Sequence, residues 1–265
     1  MIAYTTAYPR TRATRKPAFV PTNKILIAIP YWAGDQKQAS ELLKLLSDIE
    51  DTHNEFADIL LVARFDCKHN PNDIERISRR FNVHTMTSRR RETGWPAGCN
   101  GLFFGMIEWF AGGIASESIP NYKAVLINEA DTVPLTKNWV QTINAAWDDA
   151  NKDKPVVIAG AMVGGAHFGR RHINGGCVML SGQPDFRKWI TGTAARFGAI
   201  AGWDWALAAD FEKLGWANIP SMISMWQRPS MSLEEAQGLA LNGTVLVHGV
   251  KDYSLIKHAR TMLVK

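Results

Sequence analysis

Residues 24–32, KILIAIPYW, and the stretch 38–50 that follows, QASELLKLLSDIE, decide the fold. The first is an almost unbroken apolar run, the pattern of a strand buried on both faces of a parallel sheet. In the second, Leu42, Leu45, Leu46 and Ile49 recur at helical spacing, so the pair reads as a βα unit. The alternation continues downstream. Segment 57–66, ADILLVARFD, is a second strand, and 70–81, NPNDIERISRRF, is a short helix for which Asn72 or Asp73 serves as cap. Residues 82–87, NVHTMT, form a weak third strand. After SRRRETGWPAG, the run 99–113, CNGLFFGMIEWFAGG, predicts an apolar helix that Gly101 and Gly105 let pack closely on a sheet. Then come a strand ending in acids (123–134, KAVLINEADTVP), a helix (139–150), strands at 155–163 and 172–181, an amphipathic helix at 204–215 and a closing strand at 244–252. This density of alternation predicts a three-layer α/β/α sandwich on a mainly parallel, Rossmann-like sheet, with ligands at the carboxyl ends of its strands.

The chain has 265 residues, 46% hydrophobic and 21% charged, which excludes collagen, coiled coil and wholesale disorder. No apolar run approaches the roughly 20 residues of a membrane span. Cys67, Cys99 and Cys177 form no CxxC pair, so neither a zinc knuckle nor a disulfide scaffold is signalled, and we expect reduced thiols in a cytoplasmic protein. Residues 1–23 are polar and basic, with Pro9, Pro17 and Pro21; they carry no apolar segment of a secretory signal and read as an extended arm before one folded domain, 24–265. The net charge of +5 is concentrated in Arg10, Arg12, Arg15, Lys16 and Lys24, in Arg76, Arg79 and Arg80, in Arg89 to Arg91 and in Arg170 and Arg171, a distribution suited to a polyanionic partner. Ten tryptophans add surface for gripping bases or sugar rings.

Asn128-Glu129-Ala130-Asp131 ends a buried strand. Carboxylates at i and i+2 there either share a divalent cation, whose hard charge prefers oxygen, or cap the next element and face water. Asn174-Gly175-Gly176 allows close approach of a ligand to backbone, or a bulge. Asp204 opens a helix, where an acid serves as an N-cap, and His248 follows an apolar strand.

The segment VLINEADTVP resembles the metal-binding DxD segment of nucleotide-sugar glycosyltransferases of the GT-A fold, with Glu129 in place of the usual first Asp. Other segments follow in that family's order. KILIAIPYW looks like its first strand, which implies Pro30 and Tyr31 beside the nucleotide; ILLVARFD places Asp66 near the base; RRRETGWPAGCNGLFFGM brings Arg91 towards the diphosphate. HINGGCVML is similar to an F-N-x-G strand, so that Asn174, Gly175 and Gly176 approach the donor sugar. GWDWALAADFEKLGW is similar to the E-D helix, with Asp204 at the position of the catalytic base, Trp203 in place of the first acid and Asp210 in place of a basic residue. VLVHGVKD resembles the closing segment in which a histidine, here His248, completes the metal site and a lysine, here Lys251, meets phosphate.

The resemblance covers about residues 24–255 and includes family-2 and family-8-like enzymes. It implies Mn²⁺ or Mg²⁺ on Glu129, Asp131 and His248, a nucleotide-sugar donor, UDP-linked for preference, and inversion with Asp204 as base. The compact, basic plan looks like phage-encoded enzymes that glycosylate hydroxymethylated pyrimidines in DNA, in host cytoplasm. A glycan or glycolipid headgroup is the alternative acceptor. A nucleotidyltransferase is disfavoured because IPYWAGDQK lacks a glycine-rich phosphate loop, and a non-catalytic nucleic-acid-binding module leaves Asp131, Asp204 and His248 without a joint role.

Overall fold

The computed structural model describes residues 20–116, 118–164, 169–193 and 201–264. The arm basic residues Arg10, Arg12, Arg15 and Lys16 lie outside the described residues. The first strand begins at Thr22, two residues before the boundary read from the sequence.

Strand β1 (Thr22–Tyr31) is followed by helix α1 (Gln36–Ile49), β2 (Ala57–Ala63), α2 (Pro71–Ser78), β3 (Val83–Thr87), α3 (Ala97–Ala115) and β4 (Tyr122–Asn128). Then come β5 (Thr132–Pro134), α4 (Trp139–Ala150), β6 (Ile158–Val163), β7 (His172–Ser181), α5 (Pro184–Thr193), α6 (Trp203–Ala206) and α7 (Ala208–Leu214). The chain closes with β8 (Trp216–Asn218), β9 (Met222–Arg228), α8 (Leu233–Leu241), β10 (Leu246–Val250) and α9 (Ser254–Leu263).

Seven strands form the main sheet in the order β3-β2-β1-β4-β7-β6-β8. The pairs β3/β2, β2/β1, β1/β4 and β6/β8 are parallel; β7 alone runs against its neighbours β4 and β6. The sheet is mainly parallel, as expected, and helices cover both faces. Leu42, Leu45, Leu46 and Ile49 of α1 are buried on one side with Ile25, Ile27 and Ile29; Phe103, Phe104, Ile107 and Phe110 of α3 are buried on the other with Leu26 and Ala28. Alternate residues of β1 therefore serve two cores, which is why the strand reads as a continuous apolar run rather than as an alternating one.

The structure corrects several local readings. The segment 123–134 is two strands, because the Thr132 N–H donates to the Glu129 carbonyl at 2.8 Å and turns the chain through Glu129–Asp131. Helix α2 is capped by Asn70, whose side chain accepts from the Asn72 N–H, with Pro71 preset for the first helical position, so neither Asn72 nor Asp73 is the cap. The amphipathic stretch 204–215 is broken at Leu207 into α6 and α7. A second sheet, β5-β10-β9, went unread: β9 carries Ser224 and Gln227 among its apolar residues and lacks a clean period, yet it pairs in parallel with β10. This small sheet brings His248 beside the turn after β4, since His248 pairs with Thr132 across β10 and β5.

Candidate active site

The turn Glu129-Ala130-Asp131, the small-sheet strand β10 and a distortion of β7 converge at the carboxyl ends of the parallel strands. His248 Nε2 lies 3.1 Å from Glu129 Oε2 and 3.3 Å from Asp131 Oδ1. One ligand atom from each of the three residues falls within 4.8 Å of the others. On the far side of the imidazole, Ser224 Oγ is 3.3 Å from Nδ1, a contact that helps fix the ring's orientation with Nε2 towards the carboxylates. Asp131 also accepts an ion pair from Lys251.

Electrostatics bind this group together. Burial alone would lower the His248 pKa, but Asp131 and Glu129 outweigh it and lift the value to about 9. Burial alone would raise Asp131; His248 and Lys251 hold it at about 2 instead. The pocket between the two carboxylates thus favours a positive charge, which the protonated imidazole supplies and which a metal ion would supply with displacement of that proton.

Space for a cation comes from Gly176. A Cβ built there would stand 2.3 Å from His248 Nε2 and 2.8 Å from Glu129 Oε2. No other residue type leaves that space free. Two carboxylate oxygens, one imidazole nitrogen and a cradle that a methyl group would fill suit Mn²⁺ or Mg²⁺ with further positions left for a ligand.

The glycines sit in a bulge. Opposite β6, Gly160 pairs with Val178 and Met162 with Ile173, so residues 174–177 of β7 are spread against a single step of the partner. Bulges re-aim groups beside sites, and this one does so in two directions. The Gly175 N–H donates to Asp204 Oδ2 at 2.8 Å, while the Gly176 carbonyl accepts from Thr132 Oγ1 at 2.7 Å and from the Glu129 N–H at 3.1 Å. Two neighbouring residues, Gly175 through its N–H and Gly176 through its carbonyl, therefore hold Asp204 and the Glu129–Asp131 turn, and Asn174 Oδ1 steadies the bulge by accepting from the Gly176 N–H at 3.1 Å.

Asp204 has its second oxygen on the Trp205 N–H at 2.9 Å, and His172 Nε2 is 4.0 Å from Oδ2. Burial is the main influence on this carboxyl and raises its pKa; the Gly175 amide and His172 pull the other way. A carboxylate with a raised pKa in a cleft is suited to taking a proton. The sequence departure at Trp203 has a plain physical meaning: its indole is buried and stacks on Phe103 with ring centroids 3.7 Å apart and 1° between planes. The departure at Asp210 falls in the first turn of α7, away from these contacts.

The other candidates form a separate rim. Pro30 is the penultimate residue of β1, and Tyr31 is buried, its hydroxyl donating to His69 Nδ1 at 2.6 Å while His69 Nε2 donates to the Met86 carbonyl. Tyr31 therefore ties β1 to the end of β3. Asp66 is engaged by Arg64, whose guanidinium lies 4.9 Å from the Trp32 ring, and Arg91 lies 4.9 Å from the Phe65 ring. The basic cluster at Arg76, Arg79 and Arg80 is on the other side of the molecule. Helix α2 runs back from the carboxyl end of β2 to the amino end of β3, and these arginines engage Asp48, Glu75 and the Asp51 carbonyl.

Sequence reasoning missed Asp35. It occupies the N-cap position of α1 without making a capping bond, and burial, Glu129 and Asp131 raise its pKa to about 6 against the pull of Lys251. An acid at a helix start reads as a cap in any sequence, so only the tertiary field distinguishes this one. Cys99 belongs to the same surroundings: desolvation, then Glu129, Asp35 and Asp204, push its thiol up to about 11.

No family model and no curated sequence matches the chain. Solved structures do. A glycosyltransferase involved in the glycosylation of the major capsid of PBCV-1 superposes with a TM-score of 0.51 at 13% identity, over 90% of this chain and 99% of that one. The glycosyltransferase GlyE of Streptococcus pneumoniae TIGR4 superposes with a TM-score of 0.52 at 9% identity, over 91% of this chain and 60% of that one. The fold is the one found in these glycosyltransferases. Among the described residues no helix is long and apolar enough to cross a membrane.

Proposed function

We propose that the protein is a divalent-cation-dependent glycosyltransferase that moves a sugar from a nucleoside diphosphate, UDP for preference, to an acceptor hydroxyl. The observation that carries this reading is the Glu129, Asp131 and His248 triangle joined to Asp204 through two neighbouring residues, Gly175 and Gly176, of one bulge. Glu129, Asp131 and His248 would hold Mn²⁺ or Mg²⁺, which when bound neutralises charge on the departing diphosphate. Lys251, anchored on Asp131, adds a second positive charge beside the phosphates. Pro30, Asp66 and Arg91 border the nucleotide end, and Asn174 to Gly176 offer backbone to the sugar.

In this scheme Asp204 removes the proton from the acceptor hydroxyl as its oxygen bonds to the anomeric carbon. The carbon–oxygen bond to the diphosphate breaks, and its electron pair leaves with the nucleoside diphosphate. Attack from the face opposite the leaving group inverts the anomeric centre.

For the acceptor we favour the hydroxymethyl group of a modified pyrimidine in DNA. Arg91, Arg170 and Arg171 make no ion pair among the described residues, and the chain carries +5 overall, which together support a phosphate-bearing acceptor. A base in duplex DNA would leave the stack to reach Asp204. A glycan or glycolipid headgroup is the second reading, supported by the exposed Trp205 next to Asp204 and by exposed Trp32, Trp95 and Trp226. The test is a panel of UDP- and GDP-sugars with Mn²⁺, scored for donor turnover and for transfer to hydroxymethylated DNA, plain DNA and simple glycans. Labelling of hydroxymethylated DNA alone supports the first acceptor and labelling of glycans the second; turnover of no donor refutes glycosyl transfer.

A further inference from the structure

The residues that touch Asp204 do not explain why its helix starts where it does. Helix α6 is four residues long and has no side-chain cap of its own. Its entry is held from outside. Asn100, in the first turn of α3 and only 3% exposed, accepts from the Trp203 N–H through Oδ1 at 2.9 Å and donates through Nδ2 to the Ala201 carbonyl at 2.8 Å. One amide side chain thus satisfies a donor and an acceptor two residues apart, across a separation of about 100 positions, and closes the turn that delivers Asp204. Three residues further along α3, Phe103 stacks on the buried indole of Trp203.

We infer that Asn100 is a positioning residue for Asp204, fixing through the 201–203 turn where its carboxylate meets the acceptor hydroxyl; this rests on the glycosyl-transfer reading above. The bulge amide of Gly175 grips Oδ2 and the Trp205 N–H holds Oδ1, while Asn100 sets the backbone from which the side chain projects. With Asn100 in place the turn is clamped to the first turn of α3. A truncated side chain would leave the Trp203 N–H and the Ala201 carbonyl to water, loosen the turn and hydrate Asp204.

The test compares wild type, Asn100→Ala, Asn100→Asp and Ile107→Ala. The last removes a buried residue of the same helix, 3% exposed, without touching the turn, and reports a general loss of stability. Asp204 is followed by carbon NMR of aspartate-labelled protein, with Asp204→Asn for assignment, and turnover is followed with the donor that wild type uses. In Asn100→Ala the Asp204 titration should fall towards the ordinary carboxylate value of about 3.9. Its kcat for transfer should drop by about 100-fold, as expected when a reacting group is misplaced by around 1 Å, with KM for the donor within about twofold of wild type. The acidic limb of kcat should move to lower pH with it. Asn100→Asp keeps the acceptor for Trp203 and should lose less activity than Asn100→Ala, while Ile107→Ala should lower Tm and leave the Asp204 titration in place. An unchanged Asp204 titration in Asn100→Ala, or an equal shift in Ile107→Ala, overturns the inference. If wild type turns over no donor, glycosyl transfer fails as the function, and the titration still decides whether Asn100 holds Asp204.

Discussion

Gly176→Ala tests the proposed metal centre at its narrowest point. The added Cβ would lie 2.3 Å from His248 Nε2, 2.6 Å from Cε1 and 2.8 Å from Glu129 Oε2, distances that force something to move. The imidazole cannot give way readily. It is 3% exposed, contacts Ser224 at 3.3 Å and stands on a strand paired on both edges. Overpacking of this kind costs about 1–3 kcal/mol, and at roughly 2–4 °C per kcal/mol Tm should fall by about 2–12 °C. The effect on the cation is larger. Donor atoms must keep their distances to within about 0.2 Å, and even changes that only disturb a ligand's support lower affinity by 10–100-fold. We therefore expect Mn²⁺ affinity to fall at least 100-fold, about 2.7 kcal/mol, by isothermal titration calorimetry on the folded variant. Gly175→Ala is the partner experiment: its Cβ would strike Trp203 at 2.9 Å and approach Asp204 Oδ2 at 3.2 Å, so it should impair transfer and spare the cation. Gly192→Ala, with nothing within 4 Å, is the control. Wild-type Mn²⁺ affinity in Gly176→Ala would refute the placement of the cation at His248 and Glu129.

Asp204→Asn should fold, bind Mn²⁺ as wild type does and lose transfer by at least about 100-fold; full activity would place the base elsewhere. Because burial raises the Asp204 pKa, and a base works only when deprotonated, kcat should fall as pH drops through a value above the ordinary carboxylate range, measurable as the acidic limb of a pH–rate profile. Asp58 is 3% exposed and accepts from Lys24 at 2.9 Å, Tyr122 at 2.7 Å and Asn82 at 3.1 Å. Burial opposes its ionisation, but these donors win and its pKa is lowered. Its contribution is therefore present above the unfolded value of about 3.9 and lost as pH falls through the folded one, so the fall in Tm of wild type below pH 4 should be shallower in Asp58→Asn. Should duplex DNA bind through the arginines, its affinity must decline as salt rises, and a flat salt titration by fluorescence anisotropy would exclude phosphate contacts.

Much of the architecture was legible because burial writes itself into composition. A strand enclosed on both faces has to be apolar throughout, as residues 25–31 are, and a helix on a sheet has to carry an apolar stripe, as Leu42, Leu45, Leu46 and Ile49 do. Order along the chain likewise put Glu129 and Asp131 at a strand exit; His248, expected after a late strand, lies within β10 instead. The small sheet was illegible for the converse reason: β9 is half-exposed, short of a clean period, and defined by its pairing with β10 rather than by its own side chains.

What the sequence determined by itself is thus the set of local preferences: which stretches are strands, which are helices, and which strand ends carry acids. Only the tertiary structure decided how those ends meet. Whether Gly175 and Gly176 accommodate a ligand or a bulge depends on the register of β7 against β6; the bulge is there, and it aims the Gly175 N–H at Asp204 and the Gly176 carbonyl at the Glu129 turn. Whether Asp35 caps a helix or feels the carboxylates of Glu129 and Asp131 depends on where those two residues, almost 100 positions later, come to rest. Local sequence sets dihedral preference and burial. Contacts between residues distant in the chain set the electrostatic field and the free volume at the site, and those quantities exist only once the chain has closed on itself.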